Sequence, residues 1–226
     1  MWLRQLNGRF KLFSYFFIGE KMKIFKQNFI YTLIFIVSAQ GIHAYDEGDI
    51  VVRAGFSKIT PQSNNGDVVN VGSKSNATAA ISYFFSERIS AEVLLGLPFE
   101  HSVFTKTGDK VGKAKHLPPT FLIQYHLDSI GKLSPYVGIG LNHTFFLSEK
   151  ATGALAGSKL DITSSTGFVA QLGLDYELKS NLILNLDIRK HQINPSAILR
   201  GTDGSTVKFD VPLDPVTVGF GIVFKF

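Results

Sequence analysis

From Tyr45 to the C-terminus, apolar side chains occupy alternate positions in one segment after another. The end of the chain is the plainest case. Val216, Val218, Phe220, Ile222, Phe224 and Phe226 share one parity, while Thr217, Gly219, Gly221, Val223 and Lys225 share the other. Successive side chains of a strand point to opposite faces, so a strand separates these two sets and a helix mixes them. The same separation recurs over residues 50–56, 77–85, 89–97, 117–127, 136–147, 167–178 and 182–191. With 216–226 these make eight segments, an even number, and most reach the ~9–11 residues that a tilted strand needs to cross a bilayer. The pattern predicts an all-β fold, an eight-stranded antiparallel up-and-down transmembrane β-barrel over residues 45–226.

The connections alternate in length. Those at 86–88, 128–133 and 179–181 are short, and those at 60–76, 98–116, 148–166 and 192–210 are long and polar. Short turns on one side and long loops on the other is the arrangement of outer-membrane barrels, with the long loops outside. One face of each segment is nearly continuous in Leu, Ile, Val, Ala and Phe. The other carries Arg53, Glu92, Asp175, Glu177, Asp187, Arg189 and Lys225. A soluble barrel would turn the apolar face inward, whereas a membrane barrel turns it to lipid and puts the charges in the lumen. Abundant glycine and mixed charge signs on the second face favour a narrow, polar interior. Exposing the apolar face of the last strand to water would also create a patch that monomers rarely tolerate.

Composition adds a leader. The net charge is +5, but residues 1–44 hold six basic residues and one acid, leaving 17 of each sign from Tyr45 onward. The nucleic-acid signal of a basic chain therefore vanishes with the leader. Residues 22–44 read as a cleaved signal peptide: Lys23 and Lys26, then an apolar run from Phe29 to Val37, then Ile42-His43-Ala44 before Tyr45. Residues 1–21 read as an extension upstream of a true start at Met22. The expected location is the bacterial outer membrane.

The candidate chemistry is sparse. The absence of cysteine removes thiol catalysis and thiolate metal sites. His101, His116, His126, His143 and His191 have no close metal-ligand spacing and read as solvated polar residues of loops and lumen edges. No G-x-S-x-G or compact Ser/His/acid cluster is present, so no catalytic residue, metal or cofactor is assigned. The inward charges Arg53, Glu92, Asp175, Glu177, Asp187 and Arg189 form a candidate lumen network. Such a network either selects ions or, given its mixed signs, compensates itself. Phe84, Leu94 and Leu122 are candidates for an apolar path along the lumen. Pro118-Pro119 at the start of a strand marks either a wall opening or the end of a long loop, because proline cannot donate to a ladder. Gly221, Phe224 and Phe226 resemble the terminal signal read by the barrel assembly machinery, with Gly219 where that signal usually has a polar residue.

Particular stretches carry a family likeness. They are Arg53-Ala54-Gly55, Glu92 with Leu94-Leu95, Pro98-Phe99-Glu100-His101, Leu117-Pro118-Pro119-Thr120, the run from Pro135 to Asn142, the run from Gln171 to Tyr176, and Leu213-Asp214-Pro215. In order and spacing the chain resembles the OmpW family of small outer-membrane proteins over 45–226. The resemblance implies an eight-stranded barrel with a largely hydrophobic lumen, passage of small hydrophobic molecules, and in some members a receptor role for bacteriocins. Arg189 departs from it, standing where close relatives narrow the lumen with an aromatic; Glu92, Asp175 and Asp187 are its expected partners. The expected function is a narrow channel or receptor-type porin for small hydrophobic molecules. Its expected partners are membrane lipid, the assembly machinery and hydrophobic ligands, and no nucleic acid. The alternatives are a structural or adhesive barrel without conduction and a lipid-modifying barrel enzyme.

Overall fold

The computed structural model describes residues 44–62, 64–179 and 182–226. The expected extension at 1–21 and leader at 22–44 lie outside the described residues, Ala44 excepted. The strands are β1 (Ile50–Thr60), β2 (Val69–Val71), β3 (Lys74–Ser86), β4 (Ile89–Gly96), β5 (Phe99–Thr105), β6 (Lys110–Leu117), β7 (Thr120–His126), β8 (Leu133–Ala151), β9 (Lys159–Ile162), β10 (Ser165–Lys179), β11 (Leu182–His191), β12 (Ser196–Arg200), β13 (Thr206–Asp210) and β14 (Val216–Lys225).

Eight of them close a barrel in the order β1, β3, β4, β7, β8, β10, β11, β14, each antiparallel to the next. β14 returns to β1 with Phe56 opposite Phe220 and Ala54 opposite Ile222. The seam is completed beyond the strands, where Ile50 and Phe226 exchange backbone hydrogen bonds of 3.1 and 2.9 Å. Closure pairs the backbone polar groups of every wall strand, which lipid cannot do. The faces divide as the alternation requires. Phe56, Ile139 and Phe168 point outward and are 67%, 72% and 73% exposed, whereas Arg53, Glu92, Asp175 and Arg189 are buried in the lumen.

The outer connections are more ordered than the sequence suggests. Segments read as long loops contain β2, β5, β6, β9, β12 and β13, and β8 runs on to Ala151. β5 and β6 form a hairpin that pairs with β2 and β8, and β12 joins β9 and β13 in a separate three-stranded sheet. Lysines at 110, 113 and 115 hide the alternation in β6, whose buried positions include Val111, Ala114 and His116. These strands bury their apolar faces against one another rather than against lipid. The expected strand at 117–127 is also divided, with Pro118-Pro119 between β6 and β7.

Two apolar clusters cap the polar lumen. The outer one joins Val69, Ile193, Ala197, Val211 and Leu213; the inner one joins Tyr45, Val51, Phe84 and Val223. Glycine makes room for the lumen side chains between them. A Cβ on Gly173 would lie 2.0 Å from the Tyr136 ring on the neighbouring strand, and one on Gly219 would lie 2.7 Å from the Asp187 carboxylate. Asp214, just before β14, has φ +30°, a left-handed conformation that short polar residues tolerate. Its carboxylate accepts the Ile193 N–H at 3.0 Å, which anchors the start of β14 to the outer cluster.

Candidate functional site

The lumen is layered from its inner mouth outward. Tyr45 folds into the inner end, where its hydroxyl donates to Asp175 at 2.7 Å and its ring lies 4.5 Å from Phe84. His126 packs on Phe84 and Tyr136, with ring centroids 4.6 and 5.1 Å away. The next layer is charged. Arg53 reaches Glu92 at 3.1 Å, Asp175 at 3.0 Å and the Ser82 hydroxyl at 2.8 Å. Arg189 contacts Asp187 at 2.9 Å and Glu92 at 3.8 Å. Asn185 donates to Asp175 at 2.7 Å and to Tyr136 at 2.8 Å, and the Gln124 and Gln171 side-chain amides meet at 2.9 Å. Three carboxylates and two guanidiniums thus cross-link the interior, and their burial makes any unpaired member costly.

Five of the six expected network residues meet here. Glu177 does not, which corrects that expectation. It has the inward parity, but it lies one step beyond the last buried rung of β10 and is exposed. There it lines the open inner mouth with Lys132 and Lys225, a space of about 580 Å³. Water solvates its charge, so it needs no partner in the network.

The expected apolar path is also corrected. Phe84, Leu94 and Leu122 all face inward and are buried. They do not form one path, because Phe84 belongs to the inner cluster and Leu94 lies two residues outward of Glu92 on β4. Leu122 stands opposite Glu92 itself. The charged layer separates the inner aromatic group from the outer apolar one, and polar cross-links span the lumen at mid-height.

Ser90 and His126 lie 3.0 Å apart, a pairing the linear spacing does not reveal. The Ser90 hydroxyl donates to Gln124 at 3.0 Å, so its contact with His126 is as acceptor. Among the described residues the other His126 nitrogen, Nδ1, has no hydrogen-bond partner, so the pair lacks an orienting acid there. This is a packing contact of the lumen, not a nucleophile and base.

Above the charged layer the character changes. Val69, Val103, Ala114, Phe146, Leu160 and Leu213 are among the side chains that line a cavity of about 50 Å³ beneath the outer strands. Its accessible wall is entirely apolar. Two histidines stand in that wall, contrary to the expectation that loop histidines are solvated. His101 and His116 are 4% and 3% exposed, and their ring centroids lie 4.9 Å apart. Burial pushes both below the ordinary histidine range, His116 to about 3, with the neighbouring His101 adding to the effect. Both rings are therefore neutral at physiological pH. The sequence does hold a signal for them: His101 shares parity with Phe99 and Val103, and His116 shares parity with Ala114. Among the described residues no group of three histidines or carboxylates is placed to hold a metal ion.

The wall weakens just below this cavity. The β4–β7 ladder ends at Leu94 opposite Thr120, and the β5–β6 ladder begins at Phe99 opposite His116. Pro98, Pro118 and Pro119 fall in the interval and have no N–H to bridge it. The Pro119 carbonyl is still engaged by the His143 N–H at 3.0 Å. A cavity of about 20 Å³ lies in the lumen at this level, lined by Leu94, Phe99, Pro118 and Thr120 on this side and by Ser57, Ile59, His191 and Thr217 across the barrel. At the terminal signal, Phe224 and Phe226 are exposed on the outer surface at the seam, and Gly221 packs against the backbone of Ala54.

Comparison with known proteins agrees with this architecture. The family model described as OmpW family matches residues 46–226. Outer membrane protein W of Vibrio cholerae serotype O1 is 35% identical over 195 residues, 79% of this chain and 89% of that protein. Outer membrane protein AlkL of Ectopseudomonas oleovorans is 30% identical, covering 80% of this chain and 84% of its own. Among solved structures, the outer membrane protein OprG of Pseudomonas aeruginosa superposes with a TM-score of 0.75 at 27% identity, over 80% of this chain and 97% of its own. AlkL in lipid bilayers gives 0.65 at 27% identity, over 83% and 94%.

Proposed function

The chain belongs to the OmpW family of outer-membrane β-barrels, and from that footing we propose that it admits small apolar molecules through its outer end. The observation that carries the reading is the outer cavity, whose accessible wall is wholly apolar, standing above a lumen that is cross-linked by charges. An apolar molecule gains by leaving water for such a wall. It gains nothing by moving deeper, where it would have to displace Arg53, Glu92 and Arg189 from their partners. The weakened wall at Pro118-Pro119 supports a sideways exit into the bilayer, with Phe99 between the outer cavity and the gap. The lumen void behind this weak place holds little more than one water in this conformation, so passage requires Phe99 and Leu94 to move.

The test is uptake of N-phenyl-1-naphthylamine, an apolar dye, by cells with an intact lipopolysaccharide leaflet and no relative of their own. Cells making the barrel take up the dye faster than cells without it. A folded, surface-located barrel that leaves uptake unchanged would instead favour a structural or adhesive role.

A further inference from the structure

We infer that the outward face of the outer wall binds a phosphorylated glycolipid of the outer leaflet, with Lys113, Lys115 and Lys150 holding a phosphate on its sugar headgroup. The inference rests on the outer-membrane location and not on the proposed uptake. β6 and β8 build the site. Val137, Ile139, Leu141, Phe145 and Leu147 are exposed and carry the lipid-facing side of β8 toward its outer end. The stretch from Val137 to Leu147 is roughly 33 Å of strand, and at a tilt of about 40° it covers about 25 Å, the height of an outer-membrane apolar belt. Lipid headgroups therefore begin just beyond Leu147.

At that level the ladder bulges, between Lys115 and His116 on β6, and the parity of β8 shifts. Ser148 and Lys150 then share the outward face with Lys115 and Lys113, which stand directly opposite them. Ala114 and His116, between the β6 lysines, turn instead to the outer cavity. Like charges directly opposed across a ladder destabilise a sheet, so the Lys113–Lys150 pair contributes nothing to the fold.

Local carboxylates do not cancel these charges. Glu100 accepts from Lys113 at 2.9 Å. That hydrogen bond, and then the charge of Lys113, hold the Glu100 carboxyl below its ordinary range, with Lys115 and Lys74 adding to the effect. Asp161 is engaged by Arg200 and Lys159, and Glu149 stands opposite Ala114. Among the described residues Lys115 and Lys150 make no ion pair. One carboxylate thus answers three ammonium groups at the edge of an anionic leaflet.

A phosphate monoester supplies what is missing, since it carries close to two charges and three acceptor oxygens. Lysines meet it as point charges on flexible stems, and those stems lie along apolar surface. An ordinary phospholipid offers only a diester with a single charge. Leu117 and Phe145 face each other on β6 and β8 beneath the lysines and receive the acyl chains. Leu117 precedes Pro118, so a lipid held here covers the outer wall beside the proline break.

The experiment titrates the barrel, purified in detergent, with lipid and counts bound lipid by native mass spectrometry. The probes are hexa-acyl lipid A with both its phosphates, the same lipid with its phosphates removed, and phosphatidylglycerol. The unaltered barrel is expected to bind a single molecule of the phosphorylated lipid A saturably, at about fivefold lower half-saturation than phosphatidylglycerol, the scale of one further charge. The phosphate-free lipid binds more weakly than either. Lys113→Gln, Lys115→Gln and Lys150→Gln together raise the half-saturation for phosphorylated lipid A about 25-fold, about fivefold for each of the two uncompensated charges. A charge-matched control, Lys58→Gln with Lys190→Gln and Lys208→Gln on other strands, leaves it nearly unchanged. Equal losses in the two triple variants, no loss in the first, or equal binding of phosphatidylglycerol or of the phosphate-free lipid overturns the site. Absence of saturable binding also overturns it. The lipid comparison needs only the unaltered chain, so it decides even if a variant fails to fold, and none of these outcomes bears on dye uptake.

Discussion

Arg53 holds the middle of the lumen through single atoms: Nη1 to Glu92 and Nη2 to Asp175. Removing one member of a buried ion cluster strands its partners, at a cost of about 3–5 kcal/mol. Arg53→Met is therefore expected to lower the unfolding free energy in lipid by about that amount. Adding Glu92→Leu and Asp175→Asn should recover part of the loss, which urea titration followed by the gel-mobility shift of the folded barrel can measure. His116 supplies a pH dependence at the same scale. Its pKa falls from the ordinary 6.5 to about 3 on burial, so the folded chain binds fewer protons than the unfolded chain between those values. Its contribution is fully present above pH 6.5 and is lost as pH falls toward 3, by up to about 1.4 kcal/mol per pH unit. Opening free energies of the β5 and β6 amides, from hydrogen exchange corrected for intrinsic rates, should drop between pH 7.5 and 5, and that drop should shrink in His116→Phe, with His101 supplying the remainder. The charges of this lumen were legible residue by residue, because each sits on the polar parity of a strand. Glu177 was misplaced because parity gives a face but not a depth. Tyr45 was invisible for the opposite reason: it precedes the first strand, so no periodicity indicates that it folds back to meet Asp175.

At the scale of elements, the eight wall strands were legible and the six outer ones were not. A wall strand sits between lipid and a polar lumen, and that contrast writes itself as alternation. β5 and β6 sit between solvent and a small apolar cluster, and their solvent side carries Lys113 and Lys115, so the same alternation looks like a charged loop. Pro118-Pro119 was legible as a break, and the structure adds that Pro98 interrupts the facing strand at the same level. Two interrupted strands side by side make a weak place in the wall where one alone would be only a strand end. Restoring a donor there tests the sideways exit. Pro118→Val with Pro119→Val is expected to join β6 and β7 into one continuous strand along β8 and to reduce dye uptake several-fold while leaving the amount of folded barrel unchanged. Unchanged uptake would remove the exit from the account and leave the cavity's role untouched.

For the whole molecule, an apolar outside, a cross-linked interior and an apolar cup at the outer end divide the work. The outside fixes the protein in the membrane, and the charged layer cross-links the barrel at mid-height. Family resemblance suggested a largely hydrophobic lumen, and Arg189 was the residue that cast doubt on it. The structure bears out that doubt at mid-height, where Arg189 pairs with Asp187 and Glu92, and confines the apolar surface to the two ends. On the proposed role, uptake then depends on the outer cup alone. Ala114 lines the cup and is nearly buried, so a large side chain there fills the space without touching the charged layer or the proline gap. The most direct measurement is the initial rate of N-phenyl-1-naphthylamine uptake by cells carrying equal amounts of folded Ala114→Trp and unaltered barrel. The rate in the variant should fall to that of cells without the barrel; a rate equal to the unaltered protein's would contradict entry through this cavity.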